Sequence, residues 1–209
     1  MFIKTLAVGH LETNCYIVGN EDLGQCAVID PGDESNTILD YIEDNHLTCT
    51  AILLTHGHFD HVGAVETVQE ETGAVVYMNA KDDKDGHSHA YPYSPNAMSK
   101  YYDDGDVVET AGLSFHVIAT PGHTPGSVSL LCEDALFTGD TLFRGSCGRF
   151  DLEGGDEDAI MHSLAKLCAL DGNYDVYPGH GDYTTLHRER SFNYYCREAA
   201  KLKHLEVNP

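Results

Sequence analysis

The stretch Ala51-Ile52-Leu53-Leu54-Thr55-His56-Gly57-His58-Phe59-Asp60-His61 decides how this chain is to be read. Its short apolar run has the form of a buried strand. The run ends at Thr55, and three imidazoles and a carboxylate follow within six residues. A single histidine on an apolar face is usually a satisfied core residue. Four metal-capable side chains at this density are hard to place in a core, because every buried polar atom needs a partner. His56 and His58 stand two apart and project to the same side of an extended chain. Asp60 and His61 fall where the loop tightens into a helix, so they diverge from the first pair. The spacing predicts two neighbouring metal ions, one for each pair. Neutral imidazole and carboxylate are ordinary ligands of zinc and of non-haem iron.

Three more segments carry the same signature of a strand running out into a loop. Thr120-Pro121-Gly122-His123-Thr124 presents a histidine, Thr138-Gly139-Asp140-Thr141 an aspartate, and Tyr177-Pro178-Gly179-His180-Gly181 another histidine. The set His56, His58, Asp60, His61, His123, Asp140 and His180 is too large for one tetrahedral ion. Asp140 has two oxygens and is expected to bridge. The first ion then takes His56, His58, His123 and Asp140, and the second takes Asp60, His61, His180 and Asp140. Paired ions roughly 3.5–4 Å apart make bound water a hydroxide nucleophile near neutral pH, so no Ser or Cys nucleophile is required. Asp60 and Asp140 are the expected catalytic carboxylates, Asp60 as an acceptor that orients the attacking oxygen.

Turn signals and periodicity give the rest of the chain. Phe2 to Val8, Asn14 to Val18, Cys26 to Ile29, Ala51 to Leu54 and Ala74 to Met78 read as strands. Helices are expected after Ser35 or Asn36 and from about Val62 to Glu71, with Gly73 as the stop. Strands return at Val107-Val108, Leu113 to Ala119, Ser127 to Leu131, Ala135 to Thr138 and Tyr174 to Tyr177. Helices are expected over Asp156 to Leu167 and from about Leu186 to Leu205. The order suggests two similar halves, each a sheet against helices, in one domain spanning 1–209. The polar segment from Asn79 to Gly105 reads as a short helix and loop at the rim. Its His87 and His89 are taken as solvated, and Tyr91, Tyr93, Tyr101 and Tyr102 as surface packing. His10, His46, His116, His162, His187 and His204 sit in no matching loop and are read as structural.

Bulk composition removes several function classes. Twelve Lys and Arg stand against 34 Asp and Glu, a formal charge of −22. Nucleic acid and anionic membrane both bind through phosphate neutralisation by basic residues, so neither is an expected partner. Part of the acidity would offset the charge of two bound divalent ions. Seven scattered cysteines without C-x-x-C suggest neither a disulfide framework nor a zinc knuckle. Neither a secretory leader nor an apolar run of about 20 residues is visible, and the expected location is the cytoplasm.

Together, Thr55 to His61, Pro121-Gly122-His123-Thr124, Gly139 to Phe143 and Pro178-Gly179-His180-Gly181 resemble the metallo-β-lactamase superfamily. Asn14-Cys15-Tyr16, Asp30-Pro31-Gly32 and Gly145-Ser146-Cys147-Gly148-Arg149 extend the resemblance to its glyoxalase II (hydroxyacylglutathione hydrolase) branch. The resemblance implies an α/β fold, an αββα four-layer sandwich with the site at one edge of the two sheets. It implies a metallohydrolase that cleaves a small-molecule thioester with two divalent ions, zinc first, with iron or manganese as alternatives. Arg149 matches a basic residue that the branch sets near the glutathione carboxylates, but Asp151 stands where an aromatic is usual. The chain runs 29 residues past His180, room for one helix and not for the branch's C-terminal glutathione-binding extension. A short, glyoxalase II-like enzyme is therefore expected. The rival readings are a persulfide dioxygenase, with one iron on His56, His123 and Asp140, and a lactone or ester hydrolase of the same superfamily. A true β-lactamase is disfavoured because Asp140 is read as a bridge. The acyl group, the thiol carrier and the oligomeric state stay open.

Overall fold

The computed structural model describes residues 1–83 and 89–202. His87 and His204 lie outside the described residues. The first half of the chain builds a six-stranded sheet. Strands β1 (Phe2–Val8), β2 (Thr13–Asn20) and β3 (Gln25–Ile29) are antiparallel, and β4 (Thr48–Leu53), β5 (Val75–Met78) and β6 (Ser99–Tyr101) continue the sheet in parallel. Parallel pairing needs long crossovers. Helix α1 (Ser35–Asp44) supplies the first, and α2 (Phe59–Val62) with α3 (Val65–Thr72) the second.

The second half repeats the plan. Strands β7 (Val107–Thr110), β8 (Leu113–Ala119), β9 (Val128–Cys132) and β10 (Ala135–Gly139) are antiparallel neighbours. A short hairpin of β11 (Leu142–Phe143) and β12 (Ser146–Cys147) follows, then helix α4 (Glu157–Cys168). Strand β13 (Asp175–Pro178) pairs parallel to β10, and β14 (Thr184–Thr185) closes that edge. Helices α5 (Leu186–Phe192) and α6 (Tyr194–Leu202) end the described chain.

Side-chain alternation explains the layering. In β2 and β3, Cys15, Ile17, Cys26 and Val28 pack outward in the cluster that contains Ile38 of α1 and Val65 and Val68 of α3. Their neighbours Tyr16, Val18, Ala27 and Ile29 face inward against Phe115, Leu130 and Phe137 of the second sheet. A third cluster seals Leu136 and Val176 under Ile160 and Leu164 of α4 and Cys196 and Ala199 of α6. Both faces of each central strand are buried, so these strands read as near-continuous apolar runs. The result is the expected mixed α/β sandwich, with helices outside two facing sheets.

Three local expectations need correction. The helix expected from Val62 to Glu71 is split at Gly63 and Ala64, because the Ala64 amide leaves the helical pattern to donate to Pro31 O at 3.0 Å. The last helix breaks at Asn193, whose side chain donates instead to Phe143 O and Ser146 O. The rim segment contributes edge strand β6, and Tyr91, Tyr93 and Tyr102 are buried rather than on the surface; only Tyr101 of the four is exposed. Tyr102 is held inside because its hydroxyl donates to Leu54 O. Among the described residues no helix is long and apolar enough to cross a membrane.

Candidate metal centre

The exits of four strands meet at one end of the sandwich. Strands β8, β10 and β13 run in the same direction, so the loops carrying His123, Asp140 and His180 leave the same edge of one sheet. Strand β4 brings Thr55 to His61 from the other sheet, and the Val128 amide donates to Thr55 O at 2.8 Å across the gap. Asn14 of β2 holds the far side. Its amide donates to Gly179 O at 2.8 Å, and its Nδ2 to Pro178 O and Gly181 O.

All seven expected side chains are brought together. One ligand atom each from His56, His58 and His123 lies within 4.8 Å of the others, and the same is true of Asp60, His61 and His180. Asp140 stands between the two groups. Its Oδ2 is 3.4 Å from His123 Nε2 and 3.6 Å from His180 Nε2, and its Oδ1 is 3.4 Å from His61 Nε2. Small residues allow the approach. A Cβ on Gly57 would lie 2.9 Å from the Tyr91 ring and 3.0 Å from Asp82 Cβ, and one on Gly179 would lie 2.2 Å from Asp140 Oδ1.

Hydrogen bonds behind the imidazoles decide which nitrogens face inward. Thr55 Oγ1 donates its only proton to Asp30 Oδ2 at 2.6 Å, so toward His56 Nδ1, 3.1 Å away, it can only accept. His56 therefore carries its proton on Nδ1, and its buried Nε2 has no hydrogen-bond partner. The same logic applies to His123, whose Nδ1 donates to Arg149 O, and to His180, whose Nδ1 donates to Leu11 O. His61 Nδ1 faces Asp30 Oδ2 at 2.9 Å. Four Nε2 atoms thus point to the centre, and His58 adds its Nδ1, 2.9 Å from His123 Nε2. Asp140 Oδ1 is a second buried atom without a hydrogen-bond partner. Nitrogen lone pairs facing each other in a buried space repel unless a proton or a cation lies among them. The donor set, the orphaned atoms and the outer hydrogen bonds to His all fit divalent cations.

Electrostatics divide the site. Burial, and then the neighbouring imidazoles, push His56 far down and His58 to about 4, so both are neutral at pH 7. Burial also pushes on His61, but the carboxylates of Asp140 and Asp30 outweigh it and raise His61 to about 9. His180 is raised in the same way, against burial, by Asp60 and Asp140. Burial pushes Asp60 up, yet its hydrogen bond with His180 and the charge of His61 hold it well below the usual carboxylate range.

Two carboxylates that brace the centre were not among the expected site residues. Asp30, placed by the sequence only in the Asp30-Pro31-Gly32 motif, accepts from the Thr55 amide at 2.7 Å and from its hydroxyl, and faces His61. Its signal was its place just after an apolar strand, the position shared by every other ligand segment. Asp82 is 2% exposed inside what reads as a surface charge run. It accepts from the Gly57 amide at 2.9 Å, the Gly126 amide at 2.7 Å and the Thr124 hydroxyl at 2.7 Å. It thereby clamps the His56–His58 turn to the His123 loop, and nothing local in the sequence announces this.

A cavity of about 690 Å³ opens onto the centre, reaching His58, Asp60, His123, Asp140 and His180. Leu11, Phe59, Phe143 and Leu152 form much of its wall. Arg149 also borders it, but its guanidinium is engaged by Asp151, Nε to Oδ1 at 2.9 Å and Nη2 to Oδ2 at 3.1 Å. His89 is exposed on the same rim.

Comparison with known proteins agrees with this architecture. The hydroxyacylglutathione hydrolase GloC of Haemophilus influenzae is 30% identical over 92% of this chain and 97% of its own length. The crystal structure of the BLEG-1 B3 metallo-β-lactamase superposes with a TM-score of 0.85 at 32% identity, covering 93% of this chain and 99% of that one. The structure of TTHA1623 in a di-iron-bound form gives a TM-score of 0.79 at 37% identity, covering 93% and 100%. Residues 8–180 match the family model for the metallo-beta-lactamase superfamily. With two facing sheets, a histidine-rich metal-binding site at their common edge and that match over most of its length, the chain belongs to the metallo-β-lactamase superfamily.

Proposed function

We propose that this chain is a metal-dependent hydrolase of thioesters, with Asp60, Asp140 and the five histidines as its working groups. The observation that carries the reading is Asp140, set between two three-residue ligand groups at the mouth of a cavity large enough for a small acyl compound. Similarity to a hydroxyacylglutathione hydrolase supports the same choice. Two divalent cations, when bound, would make water a nucleophile at neutral pH and polarise an acyl carbonyl. His56, His58 and His123 would hold one, Asp60, His61 and His180 the other, with Asp140 shared.

The chain's own residues favour a thiolate leaving group. In thioester hydrolysis the oxygen of water bonds to the acyl carbon and the C–S bond breaks with its electron pair on sulfur. Of water's two protons, one goes through solvent exchange to the departed thiolate and the other is released by the acid product. A thiolate departs without prior protonation, whereas an amine or alkoxide needs a general acid. Asp60 is held ionised, so it can orient a water by accepting a hydrogen bond but has no proton to give. Thr13 Oγ1 donates to Asp60 Oδ2 at 3.2 Å and fixes that carboxylate. Burial of His56, His58, His61 and His123 excludes bulk water behind the reacting atoms.

The test is metal analysis of the purified chain combined with thiol release from acyl thioesters. Two metals per chain, and thiol release that chelation abolishes and metal restores, are expected. One iron per chain, with oxygen uptake on a persulfide and no thiol release, would replace this reading with the dioxygenase.

A further inference from the structure

Resting on the thioesterase reading, we infer that the cavity serves an apolar acyl chain on an uncharged carrier, and that the Asp151–Arg149 pair makes the site discriminate against anionic carriers. Two independent observations carry this. The first is the wall. Leu11, Phe59 and Leu152 leave 44%, 45% and 39% of their surfaces exposed around the cavity mouth, with Phe143 deeper in. Large apolar side chains clustered beside a metal centre, rather than scattered over a surface, mark a binding surface for apolar matter. The second is charge. Arg149 is the one Lys or Arg among the described residues that line the cavity, and both oxygens of Asp151 occupy its guanidinium.

The pair is largely exposed, 64% and 65%, so it adds little to stability. Its effect is on recognition. A substrate carboxylate could reach Arg149 only by displacing Asp151, an exchange of one carboxylate for another. The displaced Asp151 would then stand beside it as a like charge. Glu153 on the same wall adds a further negative group, and the chain as a whole carries −22. An anionic carrier such as glutathione meets repulsion with no Lys or Arg other than the engaged Arg149 among the described wall residues to offset it. An acyl chain instead gains from each methylene it buries, roughly four-fold in affinity.

The experiment uses the metal-loaded full chain. Acetyl, butanoyl, hexanoyl and octanoyl thioesters of N-acetylcysteamine, an uncharged carrier, are compared with the same acyl groups on glutathione. Expected are a kcat/KM on the uncharged carrier that climbs about four-fold per methylene until the cavity is full, and a preference for that carrier of ten-fold or more, expressed in KM. In Asp151→Asn, with Arg149 released, the ratio of kcat/KM between the carriers should move at least ten-fold toward glutathione. A merely structural role for Asp151 would lower both substrates together and leave the ratio fixed. Equal or better turnover of glutathione thioesters by the wild-type chain, or an unmoved ratio in Asp151→Asn, overturns the inference while leaving the thioesterase reading intact. If no thioester of either kind is hydrolysed, the thioesterase reading fails. Binding of S-hexyl-N-acetylcysteamine against S-hexylglutathione by calorimetry then decides the inference, tighter binding of the uncharged thioether being the outcome that keeps it.

Discussion

Asp30 Oδ2 lies 2.9 Å from His61 Nδ1, and both side chains are almost completely buried. The contact fixes the imidazole with Nε2 toward the centre, and Thr55 ties the same carboxylate to the start of the His56 loop through two bonds of 2.7 and 2.6 Å. Asp30 thus orients one imidazole directly and a second through Thr55.

Replacing Asp30 should therefore weaken metal binding rather than only unfold the chain. Partners of this kind are worth 10–100-fold in metal affinity. Asp30→Asn keeps the size, and is expected to lose affinity mainly in the His61 half of the site. Competition with a chromophoric chelator measures this. Unchanged affinity for both ions would show that His61 needs no orienting partner.

Asp82 makes a comparable prediction for the other half. Burial pushes its carboxyl up, while the Thr124, Gly57 and Gly126 donors pull the other way. Asp82→Ala strands three donors, each worth about 1–3 kcal/mol when left buried and unpaired. The expected outcome is a loss of about 3 kcal/mol or more in urea unfolding, with the first ion, on His56, His58 and His123, lost before the second. Asp82→Asn should restore part of the stability but not the geometry, because an amide cannot accept from all three donors at once. X-ray absorption of the metal-loaded variants reads that geometry, and coordination identical to the wild type would count against the clamp.

How far the sequence reached follows from where the information sits. The seven residues of the centre were legible because they follow the exits of four apolar strands, and strand exits are local patterns. The two-sheet fold was legible because both faces of β2, β3 and β10 are buried and leave continuous apolar runs. Asp82 was not legible, since its burial depends on loops at Gly57 and Gly126 that are 25 and 44 residues away. Tyr91 looked like a surface tyrosine because only the fold places its ring 5.2 Å from His58. The helix breaks at Gly63 and Asn193 were hidden for the same reason: the groups that interrupt them, Pro31 O and Phe143 O, belong to distant segments.

Glu189 gives a prediction about stability and acid. It is fully buried and accepts from the Thr184 hydroxyl, the Gly145 amide, Asn193 Nδ2 and Arg188 Nη1, tying α5 to β14 and to the β11–β12 turn. Burial pushes its carboxyl up, but these donors win and hold it below its ordinary value of 4.5. A carboxylate lowered on folding contributes stability above its unfolded pKa, and that contribution is lost as pH falls through the folded value. The wild type should thus keep this contribution at pH 7 and lose it below about 4.5. Glu189→Gln should cost about 2–3 kcal/mol at pH 7 and flatten the acid limb of a stability-against-pH curve. Parallel acid limbs for the two proteins would remove Glu189 from the account.

Metal uptake should differ in pH dependence between the two halves. His56 lies far below its ordinary value and His58 at about 4, so above pH 5 neither holds a proton that a cation must displace. His61 is raised to about 9, against burial, by Asp140 and Asp30, and His180 is raised as well. Below pH 9 a cation entering the Asp60, His61 and His180 group must expel at least one proton, so its apparent affinity should climb about ten-fold per pH unit as pH rises toward 9. His56 and His58 should add little pH dependence to the loading of their own group over the same range. At pH 6 the ion on Asp60, His61 and His180 is thus expected to bind roughly a thousand-fold more weakly than at pH 9. Calorimetric titration in buffers of differing ionisation enthalpy counts the protons released with each ion. Absence of proton release with the ion that fills the Asp60, His61 and His180 group at pH 7 would mean that the carboxylates around His61 do not hold it protonated.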